Sequence, residues 1–275
     1  MSMPSYKPLI QTFKFGPWTI TETKSHILTS EGPARETFES SLRIPSFPEM
    51  IFDQNSLKIE YEGGVGIEFN ARDALDKVDP ENYSVKVSNS DEWMQARAES
   101  EHISRILKPF DWTFTTDYKG TLLSQNDAVQ FEIQETTEKI NLQKLQAKDK
   151  IHFYTDLVLF EDELHDNGCS ILSVKMRVMP NFFFVLLRQF MRVDNVLIRI
   201  NDTRLFHEAG SDFVLREQTL RESPFSELNV PDHLLTNPNE IWDKVKIKSE
   251  HVEKLMLPTL SPTPMPPMEN EKKES

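Results

Sequence analysis

Glu161-Asp162-Glu163-Leu164-His165-Asp166 places four carboxylates and one imidazole within six residues. Such groups bind divalent metals, and a metal-activated water would make the segment a hydrolase built on Glu161, Glu163, His165 and Asp166. Convergence is the difficulty. A metal needs its ligands within about 2.0–2.6 Å of one point. Neighbouring side chains in a strand point to opposite faces, so Glu161 and Asp162 do not readily share an ion. Glu161, Glu163 and His165 share a face but are spread along it. No HExxH, HxH or EF-hand spacing occurs. The preferred reading is the acidic end of a β-hairpin. Its turn is Asp166-Asn167-Gly168, and Lys175 and Arg177 on the returning strand are its counter-ions.

Other candidate chemistry is thinner. The seven histidines are scattered, and none forms a dyad with Cys169 or with a serine in a GxSxG elbow. Cys169 is the only cysteine, so an intramolecular disulfide and Cys-rich zinc sites are excluded. Gly63-Gly64-Val65-Gly66 lacks the Lys-Ser/Thr ending of a phosphate loop and reads as a hairpin turn. No cofactor motif is present.

These residues must be positioned by a mainly β framework. Residues 1–12 are expected to be mobile, and Phe13–Glu22 reads as a strand. Leu57–Tyr61 and Val65–Phe69 flank the glycines as a hairpin. Asn70 caps a short helix over Ala71–Val78, and Ser90 a second over Asp91–Glu99. Lys108–Leu123 reads as strand, turn at Lys119-Gly120, and strand, continuing near Val129–Ile133. Phe110, Trp112, Phe114 and Tyr118 fall on one face as core. Leu142–Lys150 reads as a short helix. Tyr154–Leu164 is a strand, and Leu172–Val178 alternates like a half-buried one. In Asn181–Arg192 the only interior polar groups, Arg188, Gln189 and Arg192, fall on one helical stripe, which predicts a buried helix. Val196–His207 and Phe213–Thr219 read as further strands, and Val230–Ile247 as short helices. Arg199–Arg204 is polar and is expected on an exposed edge or in a groove, since a central strand does not tolerate unpaired charges.

The chain has 275 residues, of which 38% are hydrophobic and 10% aromatic, enough for one large core. The formal net charge of -13 argues against nucleic acid or an anionic membrane as partner. No signal peptide or apolar span is visible, so a cytoplasmic location, or a nuclear one, is expected. Residues 258–275 are Pro-rich and then charged, as in a disordered tail. The expected organisation is a flexible 1–12, one domain over 13–257, and that tail. The fold class is α+β: a single β-rich domain of mainly antiparallel sheets with flanking helices, present as a monomer.

Several blocks together resemble the TIPRL family, the TOR signalling pathway regulator-like proteins. They include FGPW (Phe15–Trp18), GIEFNARDAL (Gly66–Leu75), KPFDWTFTTDYKGTL (Lys108–Leu122), LFEDELHDNG (Leu159–Gly168), SVKMRVMP (Ser173–Pro180) and VLIRINDTRLFHE (Val196–Glu208). They keep the family's order over about residues 13–245. The resemblance implies a non-enzymatic regulator that binds the catalytic subunits of type 2A, type 4 and type 6 protein phosphatases. It implies restraint of their activity in TOR nutrient signalling, alongside the phosphatase-binding alpha-four protein. It also implies a phosphatase-binding cleft at Asp73, Ile140, Ile200 and Asp202, with Ile200 standing where animal members carry Met. On that view the two carboxylates select basic or donor groups of a phosphatase segment. Asp202→Leu or Asp73→Leu then weakens capture while leaving the thermal melt nearly unchanged.

Overall fold

Residues 7–44, 46–78, 113–125 and 129–259 are described by the computed structural model. The helix expected over Asp91–Glu99, the residues Phe110 and Trp112, and all but the first two residues of the 258–275 tail lie outside them.

The first strand pair forms because Gly16-Pro17 interrupts an aromatic and threonine-rich run. Strand β1 (Leu9–Phe15) turns at Gly16, where φ is 53°, into β2 (Trp18–Lys24). The single strand expected over Phe13–Glu22 is thus a hairpin, and β1 begins inside the stretch expected to be mobile. The Gly-rich hairpin occurs where expected, as β4 (Ser56–Tyr61) and β5 (Val65–Asn70). Asn70 then caps helix α2 (Ala71–Leu75), its side chain accepting from the Asp73 amide at 2.8 Å. Upstream, helix α1 (Pro33–Ser40) precedes the short β3 (Met50–Ile51).

Residues 113–120 are irregular, with one bridge between Val78 and Thr116, and among the described residues of this stretch only Thr121–Ser124 forms a strand, β6. Phe114 and Tyr118 are buried nonetheless. Strand β7 (Glu132–Glu135) does not continue β6. It pairs in the other sheet. Helix α3 is shorter than expected, at Leu142–Leu145.

Five long strands follow: β8 (Phe153–Asp162), β9 (Gly168–Val178), β10 (Phe182–Val193), β11 (Leu197–Glu208) and β12 (Phe213–Pro224). The helix expected over Asn181–Arg192 is therefore a strand. Its neighbours β9 and β11 cover both edges, and most of its side chains are buried on both faces. A strand with two buried faces loses its period-two signature and reads as a continuous apolar run. A 3₁₀ turn at Asp232–Leu234 and helix α4 (Pro238–Ile241) match the short helices expected there. Strand β13 (Ile247–Met256) was not anticipated.

Among the described residues the strands form a five-stranded sheet, ordered β1-β2-β4-β5-β6, and an eight-stranded sheet, ordered β3-β8-β9-β10-β11-β12-β13-β7. All pairings are antiparallel. This is the α+β, β-rich class expected. Trp18, Ile20, Ile59 and Phe69 from the smaller sheet join Leu157, Phe183, Val185 and Leu205 from the larger one in a single core. The smaller sheet thus covers the inner face of the larger one. Among the described residues no second sheet covers the outer face.

Candidate functional site: the outer face of the larger sheet

Register fixes which side chains share the outer face. Asp156, Lys175, Leu186, Arg204 and Glu217 stand opposite one another on successive strands and form a row across the sheet. One row further along are Ser173, Arg188, Asp202 and Thr219. One row in the other direction are Arg177, Phe184, Phe206 and Leu215.

Two pieces of chain cover the flanking rows. Residues 136–147 form a strap. Ile140 packs with Met179, Phe182, Phe206 and Leu215, while the Ile140 amide donates to Glu217 Oε1 at 2.6 Å. Lys139–Glu250 at 3.0 Å and Lys144–Glu208 at 2.6 Å tie the strap down. On the other side, Leu235, Ile241 and Val245 pack on Phe190, Ile198 and Ile200. Between these banks the row through Lys175, Leu186 and Arg204 stays partly open. A cavity of about 330 Å³ lies at its β8–β10 end, lined among others by Val158, Ile171, Leu186, Phe190 and Pro238.

Asp202 sits at the edge of this groove and is fully buried. It accepts from Arg188 Nε and Nη2 at 2.7 Å each, from Arg204 Nη2 at 3.3 Å and from Trp242 Nε1 at 3.0 Å. Arg188 also donates to Asn239 Oδ1 at 2.6 Å. Arg204 and Arg221 lie over the Trp242 ring, 4.6 and 3.6 Å from its centroid. The charges of the polar stretch are thus paired, so it occupies a central strand rather than an edge. Arg199, on the inner face, pairs with Glu222 at 2.6 Å and donates to Thr115 Oγ1 at 2.8 Å.

Ile140, Ile200 and Asp202 therefore share the outer face, on the two banks of one groove. Asp73 does not join them. It follows the smaller sheet on α2, accepts from Asn70 Nδ2 at 3.0 Å and from Thr121 Oγ1, and lines a separate cavity of about 320 Å³ with Asp117, Tyr118 and Lys119. Burial pushes the Tyr118 phenol up to about 12, and its hydroxyl donates to the Glu68 carbonyl at 2.9 Å.

The acidic hairpin is structural in its details. Strand β8 ends at Asp162, and Leu164, His165 and Asp166 take left-handed φ values of 51°, 54° and 62°. Leu164 is buried against Met191 and Val193. Asp162 accepts from the amides of Leu164 at 2.7 Å and Glu49 at 3.0 Å. Lys175 pairs with Asp156 at 2.8 Å and Arg177 donates to the Leu145 carbonyl at 2.7 Å, so neither is a counter-ion of the cluster. Glu161 and Asp162 stand opposite Ile171 and Ser170 instead. Among the described residues no three His, Cys, Asp or Glu side chains are grouped to hold a metal ion, and Glu161, Glu163, His165 and Asp166 form no such group.

Burial raises the Asp162 carboxyl from 3.8 to about 6, against the lowering effect of its two amide donors, and Glu49 and Glu163 add to the rise. A raised folded value contributes stability that is full below the unfolded value and is lost as pH rises through about 6. Asp162→Asn cannot ionise. From pH 4 to pH 7 the stability difference should therefore move in the variant's favour by about 2 kcal/mol. Urea melts at the two pH values measure this, and an unchanged difference means that Asp162 titrates as an ordinary carboxylate.

Sequence reading missed Arg188, Arg204 and Trp242 as one cluster. The available signal was the even spacing of Arg188 and Arg192 on a strand, with Asp202 at the matching register of the next.

The geometry defines a two-sheet, mainly antiparallel protein whose larger sheet carries a grooved, charged outer face. The model of the TIP41-like family matches residues 50–229. The rat TIP41-like protein is 47% identical over 267 residues, covering 96% of this chain and 97% of the relative. The human TIP41-like protein is 47% identical over 266 residues, covering 96% of each. The Saccharomyces cerevisiae protein named type 2A phosphatase activator TIP41 is 37% identical over 227 residues, covering 77% of this chain and 62% of that protein. The chain belongs to the TIP41-like family, the family that the sequence blocks resemble. Among the described residues no helix is long and apolar enough to cross a membrane.

Proposed function

We propose that this protein is a non-catalytic regulator that binds the catalytic subunits of type 2A-like protein phosphatases through the outer face of its larger sheet. The observation that carries the reading is the kinship with two yeast proteins named type 2A phosphatase activators, 37% and 33% identical to this chain. The groove supports it physically. It combines a cavity of about 330 Å³ with neighbouring polar groups, as recognition sites do. Ile140 and Ile200 act by building the two banks, and Asp202 by holding Arg188, Arg204 and Trp242. Asp73 belongs to a second contact area on α2. The partners are the type 2A, type 4 and type 6 catalytic subunits, with alpha-four in the same assembly, and the setting is TOR signalling in the cytoplasm.

Capture on an immobilised type 2A catalytic subunit tests this. Leu186 is only partly buried and lies on the groove floor. Leu186→Asp should weaken capture by about tenfold, as expected for an anchor position, with little change in the melt. Undiminished capture removes the groove from the contact. Phosphatase activity measured with and without the protein separates the restraint implied by the resemblance from the activation named in the yeast relatives.

A further inference from the structure

Among the described residues the two sheets end in β1, β6, β3 and β7. β6 and β7 have four residues each and β3 has two. β7 also carries Glu132 and Glu135. Short or charged edges of this kind discourage further pairing. β1 lacks both protections. It has seven residues, and from Leu9 to Phe13 it carries no charge. Leu9 and Ile10, 58% and 62% exposed, are the two most exposed large apolar side chains among the described residues.

Register identifies the backbone groups that this edge offers. Opposite residues of an antiparallel pair alternate between exchanging two hydrogen bonds and exchanging none. The two-residue turn at Gly16-Pro17 closes on Phe15 and Trp18, which are of the bonded kind. Phe13–Ile20 and Gln11–Glu22 are then bonded as well. Ile10, Thr12 and Lys14 therefore aim their N–H and C=O groups away from β2. Among the described residues no backbone hydrogen bond beyond the β1–β2 ladder reaches these three. Phe13 and Phe15 hold the strand in place, their rings 5.6 Å from that of Phe153 and 5.9 Å from that of Phe183. The charge along this edge is of one sign. Lys7, Lys14 and Lys24 are exposed and form no ion pair among the described residues. The one acid of the hairpin, Glu22, is buried and accepts from Thr155 Oγ1 at 2.7 Å.

We propose that β1 takes an extended acidic segment of a partner protein as one more strand of the smaller sheet. Ladder hydrogen bonds to Ile10, Thr12 and Lys14 supply the attachment, as in other strand additions. Apolar side chains of the segment cover Leu9 and Ile10, and its carboxylates meet the three lysines. A second copy of this chain fits less well. It would bring no acid to Lys14 and would set two chains of charge -13 against each other. The edge belongs to the other sheet from the groove, so the proposal stands apart from the phosphatase reading.

Amide hydrogen exchange on the full chain, followed residue by residue by nuclear magnetic resonance, provides the test. The probes are a peptide of alternating glutamate and valine as long as β1, its lysine-for-glutamate counterpart, and a version with proline at its centre. In the protein alone the Ile10, Thr12 and Lys14 amides should exchange fast and those of Phe13 and Phe15 slowly. Saturating acidic peptide should slow the first three by about tenfold or more, and the other two peptides should not. Thr12→Pro removes an N–H that β2 does not use, which an edge strand tolerates, and should weaken peptide binding by about tenfold. Lys14→Glu should do the same through charge, and it keeps the test valid if the proline variant does not fold. Lys248→Glu changes the net charge equally on the larger sheet and should have no effect. Binding without protection of the three amides, equal binding of the basic peptide, or unchanged binding in Thr12→Pro and Lys14→Glu overturns the proposal. Slow exchange of the three amides in the protein alone, with a dimer in sedimentation, overturns it in favour of a second copy.

Discussion

Asp202→Leu will lose about 3–5 kcal/mol of folding stability, the usual cost of stranding one partner of a buried ion pair. Arg188 keeps a largely buried guanidinium whose Nε and Nη2 both donate to this carboxylate, and the Trp242 indole N–H loses its acceptor. Leucine fills space but accepts nothing. The melting temperature should fall by about 10 °C, measured by calorimetry at neutral pH. Arg188→Leu in the same chain should recover most of the loss, because it removes the stranded charge. A fall of under about 1 kcal/mol in the single variant would show that the pair is far more hydrated than its burial indicates. The expectation that Asp202→Leu leaves the melt unchanged is thus corrected. Weaker phosphatase capture by that variant reports on the Arg188–Trp242 bank as a whole, not on one lost contact.

Gly168→Ala will be at least as damaging, at about 4 kcal/mol or more. Gly168 opens β9 at φ 148°, opposite Val193. A Cβ there would run into the Arg192 carbonyl oxygen, a backbone atom one residue from the end of β10 in the larger sheet. Neither strand can retreat without breaking its ladder. Gly210 supplies the control: it also has positive φ, at 84°, yet a Cβ there meets nothing within 4 Å. Gly210→Ala should cost only the conformational penalty, about 1–2 kcal/mol. Urea midpoints of the two variants check the contrast, and similar values would mean that the β9–β10 approach at Gly168 relaxes freely.

What could be read from sequence follows from what period and turn chemistry encode. The β4–β5 hairpin and the Asn70 cap were legible because glycines and a capping side chain act locally. β9 was legible because Leu172, Val174 and Met176 alternate with Ser173 and Lys175 on a strand with one face in the core. β10 was not, because its second face is buried by neighbours far away in sequence. The site behaved likewise. Arg188 and Asp202 lie fourteen residues apart and meet only through the β10–β11 register. Once β10 is read as a helix, that pairing is lost and the polar stretch looks unpaired. Trp242 comes from still further along the chain, and no local pattern points to it.

The two banks rest on rows four residues apart along the same strands, at Phe184 and Arg188 on β10 and at Phe206 and Asp202 on β11. At about 3.4 Å per residue the rows are roughly 14 Å apart, and the bank side chains take up part of that span. A helix with its side chains is about 10–12 Å across and would not seat fully. A single extended chain would. The slot acts as a gauge ruled by the pleat of the sheet. Its floor cannot lengthen, because the covalent backbone of the extended strands sets the spacing of the rows; on the proposed reading a partner segment must be narrow, and the sheet beneath should superpose closely with and without it.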